Sequence, residues 1–252
     1  MRCRLVGSEM CIRDRNLTGN QQQAFDILAA SGKPVISVLL ASKPHTINSV
    51  IEQSAAVLIA FHPGAKAGSA ITRCLFGDIN PAGRLPITFP RHVGQLPAYY
   101  NQAPGWHSVI SPFYDKKERY IDLPETPLLA FGEGMSFSNI EYGKGECTEQ
   151  NGTVSIRVNV KNTSDRDTIE VVQLYTRLCI PGVTSPNKQL LQYQRVSIAA
   201  NSTVTVEFTI EQSSLMVWNK QLKKEAYTGE AVFMVGKSSL DADLEQFVVS
   251  FK

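Results

Sequence analysis

Phe61-His-Pro-Gly-Ala-Lys-Ala-Gly-Ser-Ala-Ile-Thr-Arg-Cys-Leu-Phe-Gly-Asp-Ile-Asn-Pro-Ala-Gly-Arg-Leu-Pro-Ile-Thr-Phe-Pro90 is the stretch on which the fold of this chain turns. Pro63-Gly64 interrupts the chain directly after an apolar, strand-like run. The small residues Ala65, Ala67, Gly68 and Ala70 then let a helix start close against a sheet. Gly77-Asp78 ends that helix. Asn80-Pro-Ala-Gly83 reads as a turn, because Pro81 presets its own φ and Gly83 accepts a positive one. Pro86 and Pro90 bracket a short extended piece.

Upstream, a helical pattern begins after Asn20, a candidate N-cap, with Phe25, Ile27 and Leu28 at apolar positions and Ser31-Gly32 as its stop. Val35 to Leu40, bounded by Pro34 and by Lys43-Pro44, is a continuous apolar run of the kind a parallel strand covered on both faces carries. Thr46 to Gln53 reads as a short helix, Ala55 to Phe61 as the next strand and Lys66 to Leu75 as the helix after it. This β-α-β-α order predicts an open α/β sheet flanked by helices, an α/β sandwich. Ligands of such sheets gather where strands end and loops diverge, so the loops after Leu40 and Phe61 are the places to look. His62 lies in the second loop, either as a hydrogen-bonding sugar contact or as a loop histidine fixing the Pro63-Gly64 turn.

Downstream, Pro90 to Pro127 is loop-like and rich in Tyr99, Tyr100, Trp106, Phe113, Tyr114 and Tyr120, rings that need a surface to pack on. Sugars present apolar C–H faces and polar edges. Rings beside the charged run Asp115-Lys-Lys-Glu-Arg-Tyr-Ile-Asp122 therefore make a candidate sugar surface, a solvated charged loop being the plain alternative. Leu128 to Ala130 reads as one more strand, with Gly132, Gly134 and Ser136 as a hinge into a second unit. There, Val154, Ile156, Val158 and Val160 alternate with polar residues, and further strands are expected at Ile169–Leu178, Leu190–Ile198, Thr203–Ile210, Glu230–Val235 and Gln246–Phe251. Short strands without helical periods between them predict an antiparallel β-sandwich.

The ordered motifs Pro63-Gly-x-x-x-Gly68, Leu75-Phe-Gly-Asp78, Asn80-Pro-Ala-Gly-Arg-Leu-Pro86, Thr88-Phe-Pro90, Gly94-Gln-Leu-Pro97 with Tyr99-Tyr-Asn101, Arg119-Tyr-Ile-Asp122 and Phe131-Gly-Glu-Gly-Met-Ser-Phe137 resemble the C-terminal part of glycoside hydrolase family 3. The resemblance runs from about Asn16 to Lys252. It implies an α/β domain at 16–137 followed by a fibronectin type III-like sandwich at 138–252. It further implies a retaining, exo-acting enzyme on terminal β-glucosyl or xylosyl residues of an oligosaccharide or β-glycoside, exported to a periplasm or out of the cell. The family's aspartate nucleophile lies in an N-terminal (β/α)8 barrel, which is missing from this chain, and its acid/base glutamate lies upstream of the recognisable region. Two departures stand out: relatives commonly read Pro-Gly-Gln-Glu-Gly-Gly where Ala65 and Lys66 replace the amide and the carboxylate, and Glu133 stands where they often carry Tyr.

The 252 residues are 43% hydrophobic and 19% charged with a formal charge of +2, a globular composition that implies neither nucleic acid nor an anionic membrane as partner. The longest apolar runs are far below the ~20 residues of a membrane helix. Cys3, Cys11, Cys74, Cys147 and Cys179 are scattered without metal-ligand spacing and read as free or buried thiols. No phosphate loop, dinucleotide fingerprint or Gly-x-Ser-x-Gly elbow occurs, so no cofactor and no metal are expected. Met1 to Arg15 fits no structural period and reads as a non-native or disordered leader, with a native flexible arm as the alternative. Asn16, Asn151, Asn162 and Asn201 head Asn-x-Ser/Thr triplets that accept glycans only in a eukaryotic secretory context.

Glycosidic hydrolysis needs two carboxyl groups flanking the bond, about 5 Å apart for retention. Glu118, Asp122, Glu125 and Glu133 are the loop acids at hand, and salt bridges or turn caps explain them more simply. The expectation is therefore no catalytic residue in this chain, with substrate contacts at His62, Trp106, Arg119, Tyr120 and Asp122. The competing reading is a stand-alone carbohydrate-binding or structural module using Trp106, Tyr114 and Arg119. An exposed apolar patch on the first domain separates the two: a truncated enzyme has one, a module has a polar surface there.

Overall fold

The computed structural model describes residues 14–103, 122–180, 183, 185–219 and 221–251. The chain forms two compact units, and its path alternates between them. The first comprises Met1–Ile79, Ile87–Tyr99 and Tyr120–Leu129; the second comprises Asn80–Pro86, Tyr100–Arg119 and Ala130–Lys252.

The first unit contains α1 (Gln21–Ala29), β1 (Ile36–Leu39), α2 (Asn48–Gln53), β2 (Ala56–Ile59) and α3 (Ala67–Leu75). β1 and β2 pair in parallel, Ile36 opposite Ala56 and Leu39 opposite Ile59, which is the β-α-β-α order read from the sequence. Three local expectations change. The Asn20 side chain makes no cap hydrogen bond to α1. Leu128 to Ala130 does not form a strand; a single bridge joins Leu129 to Phe89. β1 is not covered on both faces, because Ile36 and Leu40 are 55% and 59% exposed while Ser37 and Leu39, pointing the other way, are half-buried. No helix among the described residues is long and apolar enough to cross a membrane.

The second unit is the antiparallel sandwich. One sheet has the order β12 (Leu244–Phe251), β11 (Gly229–Gly236), β6 (Thr168–Leu178), β7 (Gln189–Ile198). In the other, β5 (Thr153–Asn162) pairs with β8 (Thr203–Glu211) along one edge, and with β3 (Ile140–Tyr142) and β4 (Glu146–Gln150) in succession along the other. The alternation in β5 works as expected. Val154, Ile156, Val158 and Val160 face inward and meet Ile210, Phe208, Val206 and Val204 of β8. From the opposite sheet Val172, Leu174, Phe233 and Val235 complete the core. A short hairpin, β9 (Met216–Trp218) with β10 (Lys224–Ala226), stands apart from both sheets and has no counterpart in the sequence reading.

Buried polar groups close this unit. Asn162 is fully buried at the end of β5; its amide donates to the carbonyls of Arg166, Ile198 and Ala199 and accepts from Ser164 N–H, so it pins the turn into β6 and is shielded from glycosylation. Among the described cysteines, Cys74, Cys147 and Cys179 are free thiols, and burial pushes the Cys147 thiol upward.

Candidate functional site

The carboxyl ends of β1 and β2 lie side by side, with Ala60 N–H donating to Leu39 O at 3.0 Å. Two loops leave from this end. In the first, His45 is buried and its Nδ1 lies 3.0 Å from Arg15 O and 3.2 Å from Asn16 O. Both partners are carbonyl oxygens and only accept, so Nδ1 is the donor to both. Thr46 reinforces the strap, its N–H donating to Arg15 O and its hydroxyl to Asn16 Oδ1. In the second loop Phe61 takes a left-handed backbone, φ 47°, costly for a non-glycine residue. Its ring is held edge-on against Phe89 at 6.2 Å. This turn leaves His62 exposed in solvent immediately after the strand.

The motifs downstream explain how the unit is laced together. Phe89, fully buried, exchanges backbone hydrogen bonds with Leu128 and Leu129. The Gln95 side chain accepts from Arg91 N–H and donates to Pro124 O, and Arg91 Nε donates to Thr126 O. The segment that contains Asp122 is thus fastened to the Gly94-Gln-Leu-Pro97 motif. The Leu96–Pro97 bond is cis.

Of the sequence-derived substrate contacts, His62 and Asp122 are exposed, and among the described residues no hydrogen bond or ion pair joins them to each other or to a third group. Trp106, Arg119 and Tyr120 lie outside the described residues, as do Tyr114 and Glu118. Glu125 is exposed. Glu133 has a structural partner, its Oε2 accepting from Ala130 N–H at 2.7 Å. Lys66 is exposed at the N-terminal boundary of α3, where a cation opposes the helix dipole by about 0.3–1 kcal/mol. No group of three His, Cys, Asp or Glu able to hold a metal ion occurs among the described residues.

Sequence reading missed a buried charged cluster in the second unit. Arg84, from Asn80-Pro-Ala-Gly-Arg-Leu-Pro86, donates through one guanidinium nitrogen to both oxygens of Glu170 at 2.8 and 2.7 Å, with the two side chains 9% and 3% exposed. Tyr142 OH donates to the same carboxylate at 3.2 Å, and burial, followed by the Glu170 charge, pushes the phenol far above its ordinary value. Asn80 adds a second clasp by donating to Ser138 Oγ and Asp167 O and accepting from Phe137 N–H. The Phe131–Phe137 motif completes the arrangement. Gly132 sits at φ 78°, where an added Cβ would lie 2.0 Å from Gln173 Oε1, and Gln173 Nε2 donates to Gly132 O. Tyr100 stacks on Phe131 at 4.1 Å and meets Tyr175 edge-on at 5.9 Å. These are fastening contacts, buried and hydrogen-bonded except at Arg84 Nε, and not groups poised for chemistry.

A two-stranded parallel α/β unit carrying these motifs, and an antiparallel β-sandwich, are the two folds on which the comparison with known families turns. The family model described as "Glycosyl hydrolase family 3 C-terminal domain" matches residues 5–138, and one described as "Fibronectin type III-like domain" matches residues 170–239. The chain belongs to glycosyl hydrolase family 3. It is 33% identical over 243 residues to a "Beta-xylosidase" of Formosa agariphila, covering 95% of this chain and 33% of that protein. It is 32% identical over 229 residues to a "Periplasmic beta-glucosidase" of Salmonella typhimurium, covering 87% and 29%. The crystal structure of a β-glucosidase from Listeria innocua in complex with isofagomine matches with a TM-score of 0.84 at 30% identity, covering 94% of this chain and 34% of that one. The chain thus spans about a third of the length of the relatives it matches.

Proposed function

We propose that this chain is the C-terminal portion of a retaining, exo-acting β-glycosidase that removes terminal non-reducing β-D-glucosyl or xylosyl residues. The observation that carries the reading is the uncovered apolar face of β1. Ile36, Val38 and Leu40 expose side chains that a parallel strand ordinarily buries, and Ile27 and Leu28 of α1 are exposed as well. A stand-alone module would have a polar surface there. The occupant of that face is upstream polypeptide, in keeping with relatives about three times as long. The nucleophile and the acid/base carboxylate belong to that polypeptide. In this chain His62, Trp106, Arg119, Tyr120 and Asp122 are the candidate sugar-contacting side chains. The protein acts in a periplasm or outside the cell, a placement supported by the name of the Salmonella relative.

The test is hydrolysis of aryl β-glucoside and aryl β-xyloside by the 252-residue chain, beside the same chain extended by its upstream gene sequence. The expected result is activity in the extended protein alone. Turnover by the 252 residues would overturn the assignment of the carboxylates and return attention to Asp122.

A further inference from the structure

The β9–β10 hairpin and the chain after β6 enclose an open groove of about 270 Å³, whose described lining includes Ile180, Val183, Trp218, Asn219, Glu225 and Tyr227. Its base is fixed. Tyr227 is buried, with its hydroxyl donating to Cys179 O and Glu230 O at 3.0 and 2.7 Å and its N–H to Leu215 O at 2.7 Å. The described residues of the hairpin loop are hydrogen-bonded to one another too. Asn219 Oδ1 accepts from the N–H groups of Gln221 and Lys223, and its Nδ2 donates to Glu225 Oε2 at 3.0 Å. Against this rigid frame Trp218 is 59% exposed, an expensive way to display the larger of the aromatic rings unless something covers it.

We propose that this groove is a saccharide-binding site, with the Trp218 ring as the apolar platform and Asn219, Glu225, Gln221 and Thr228 as partners for hydroxyl groups. The chemistry of the lining selects the ligand class. Asn219 and Glu225, oriented by the hydrogen bond between them, and the neighbouring Gln221 amide and Thr228 hydroxyl supply the donors and acceptors that a ring of vicinal hydroxyls requires. No lysine or arginine lines the groove among the described residues, and Glu225 repels an anion. Lys223 and Lys224, exposed on the same hairpin, disfavour a cation. A neutral sugar is the class that remains. The volume is below the ~300–1,000 Å³ of enclosing small-molecule pockets, so the contact is with one or two rings and the affinity is of order 1 mM.

This inference does not rest on the glycosidase reading, since it requires binding and no turnover. The experiment is calorimetric and tryptophan-fluorescence titration of the 252-residue chain with xylohexaose and with cellohexaose up to about 20 mM, which brackets a millimolar Kd. One of the two hexaoses is expected to bind, with a fluorescence change that Trp218→Phe abolishes. Trp218→Ala should weaken binding by at least about tenfold, the loss of one buried aromatic contact. Glu225→Gln, which keeps the hairpin contacts, is expected to weaken it severalfold at an unchanged unfolding midpoint and serves if Trp218→Ala misfolds. No binding of either hexaose, or binding that survives both Trp218→Ala and Glu225→Gln, overturns the proposal while leaving the hydrolysis test above unaffected.

Discussion

Replacing Arg84 by methionine keeps the unbranched apolar stem of the side chain but leaves the Glu170 carboxylate, 3% exposed, without its cation. By strand alternation Glu170 faces the same way as Val172 and Leu174, so the stranded charge abuts the sandwich core. Breaking a buried pair from one side costs about 3–5 kcal/mol, because the remaining charge stays desolvated and unpaired. For a protein of this size that is a fall in the unfolding midpoint of roughly 10 °C. The reverse substitution, Glu170→Leu, should cost a comparable amount by stranding the guanidinium, whose Nε already lacks a hydrogen-bond partner. The double variant Arg84→Met with Glu170→Leu removes both charges and should recover most of the loss, since apolar replacement of a buried pair is often near neutral. The assay is urea unfolding of the four proteins at pH 7, read as a double-mutant cycle. A loss below about 1 kcal/mol for Arg84→Met, the magnitude of an exposed pair, or additive single losses in the double variant, would refute the argument.

Two further outcomes follow from the same unit. Gly132→Ala places a methyl group 2.0 Å from Gln173 Oε1 at φ 78°, so the left-handed backbone, at about 1–2 kcal/mol, and at least one displaced hydrogen bond, at about 1 kcal/mol, should together lower stability by roughly 2–4 kcal/mol. Unfolding curves indistinguishable from the parent's would show that the turn is not held as described. The pH dependence comes from the phenols: burial first, and then the neighbouring Glu170 charge, raises Tyr142, while burial and Tyr100 raise Tyr175. A phenol raised in the folded state contributes stability in full below its unfolded value of ~10, and loses it as pH climbs past that value. Stability should therefore decline above about pH 10, and Tyr142→Phe should make the decline shallower by up to ~1.4 kcal/mol per pH unit. Equal slopes for variant and parent between pH 10 and 11, read by urea unfolding, would remove Tyr142 as the cause.

What sequence reveals of this chain depends on the distance over which each contact acts. The strands of the sandwich core were legible because alternation is local. Val154 to Val160 declare their inward face without reference to their partners. The β9–β10 hairpin was not, since three-residue strands carry no period and the intervening Asn219-Lys-Gln-Leu-Lys223 resembles any charged loop. The roles of Asn80 and Arg84 were invisible for another reason: their partners Ser138, Asp167 and Glu170 stand 58 to 87 residues away. The motif around Arg84 could be recognised, but nothing local says that it fastens. The candidate site was the least legible. The structure gives His62 and Asp122 exposure without hydrogen-bond or ion-pair partners among the described residues, and a lone exposed histidine looks the same in sequence whether it awaits a sugar or only follows the strained Phe61 turn.

The fastening of Asn80–Pro86 and Ala130–Ser138 onto the sandwich also bears on how such genes can be recombined. A cut at Ser138 looks clean on a map of motifs, yet it would separate Glu170 from Arg84 and uncover the Tyr175 face that Phe131 and Tyr100 shield. The sandwich is therefore a discontinuous inheritance. A chimera that exchanges it between relatives must carry Asn80–Pro86 and Tyr100 along with the chain from Ala130 onward, and Arg84 and Tyr100 have to match Glu170 and Tyr175 of strand β6.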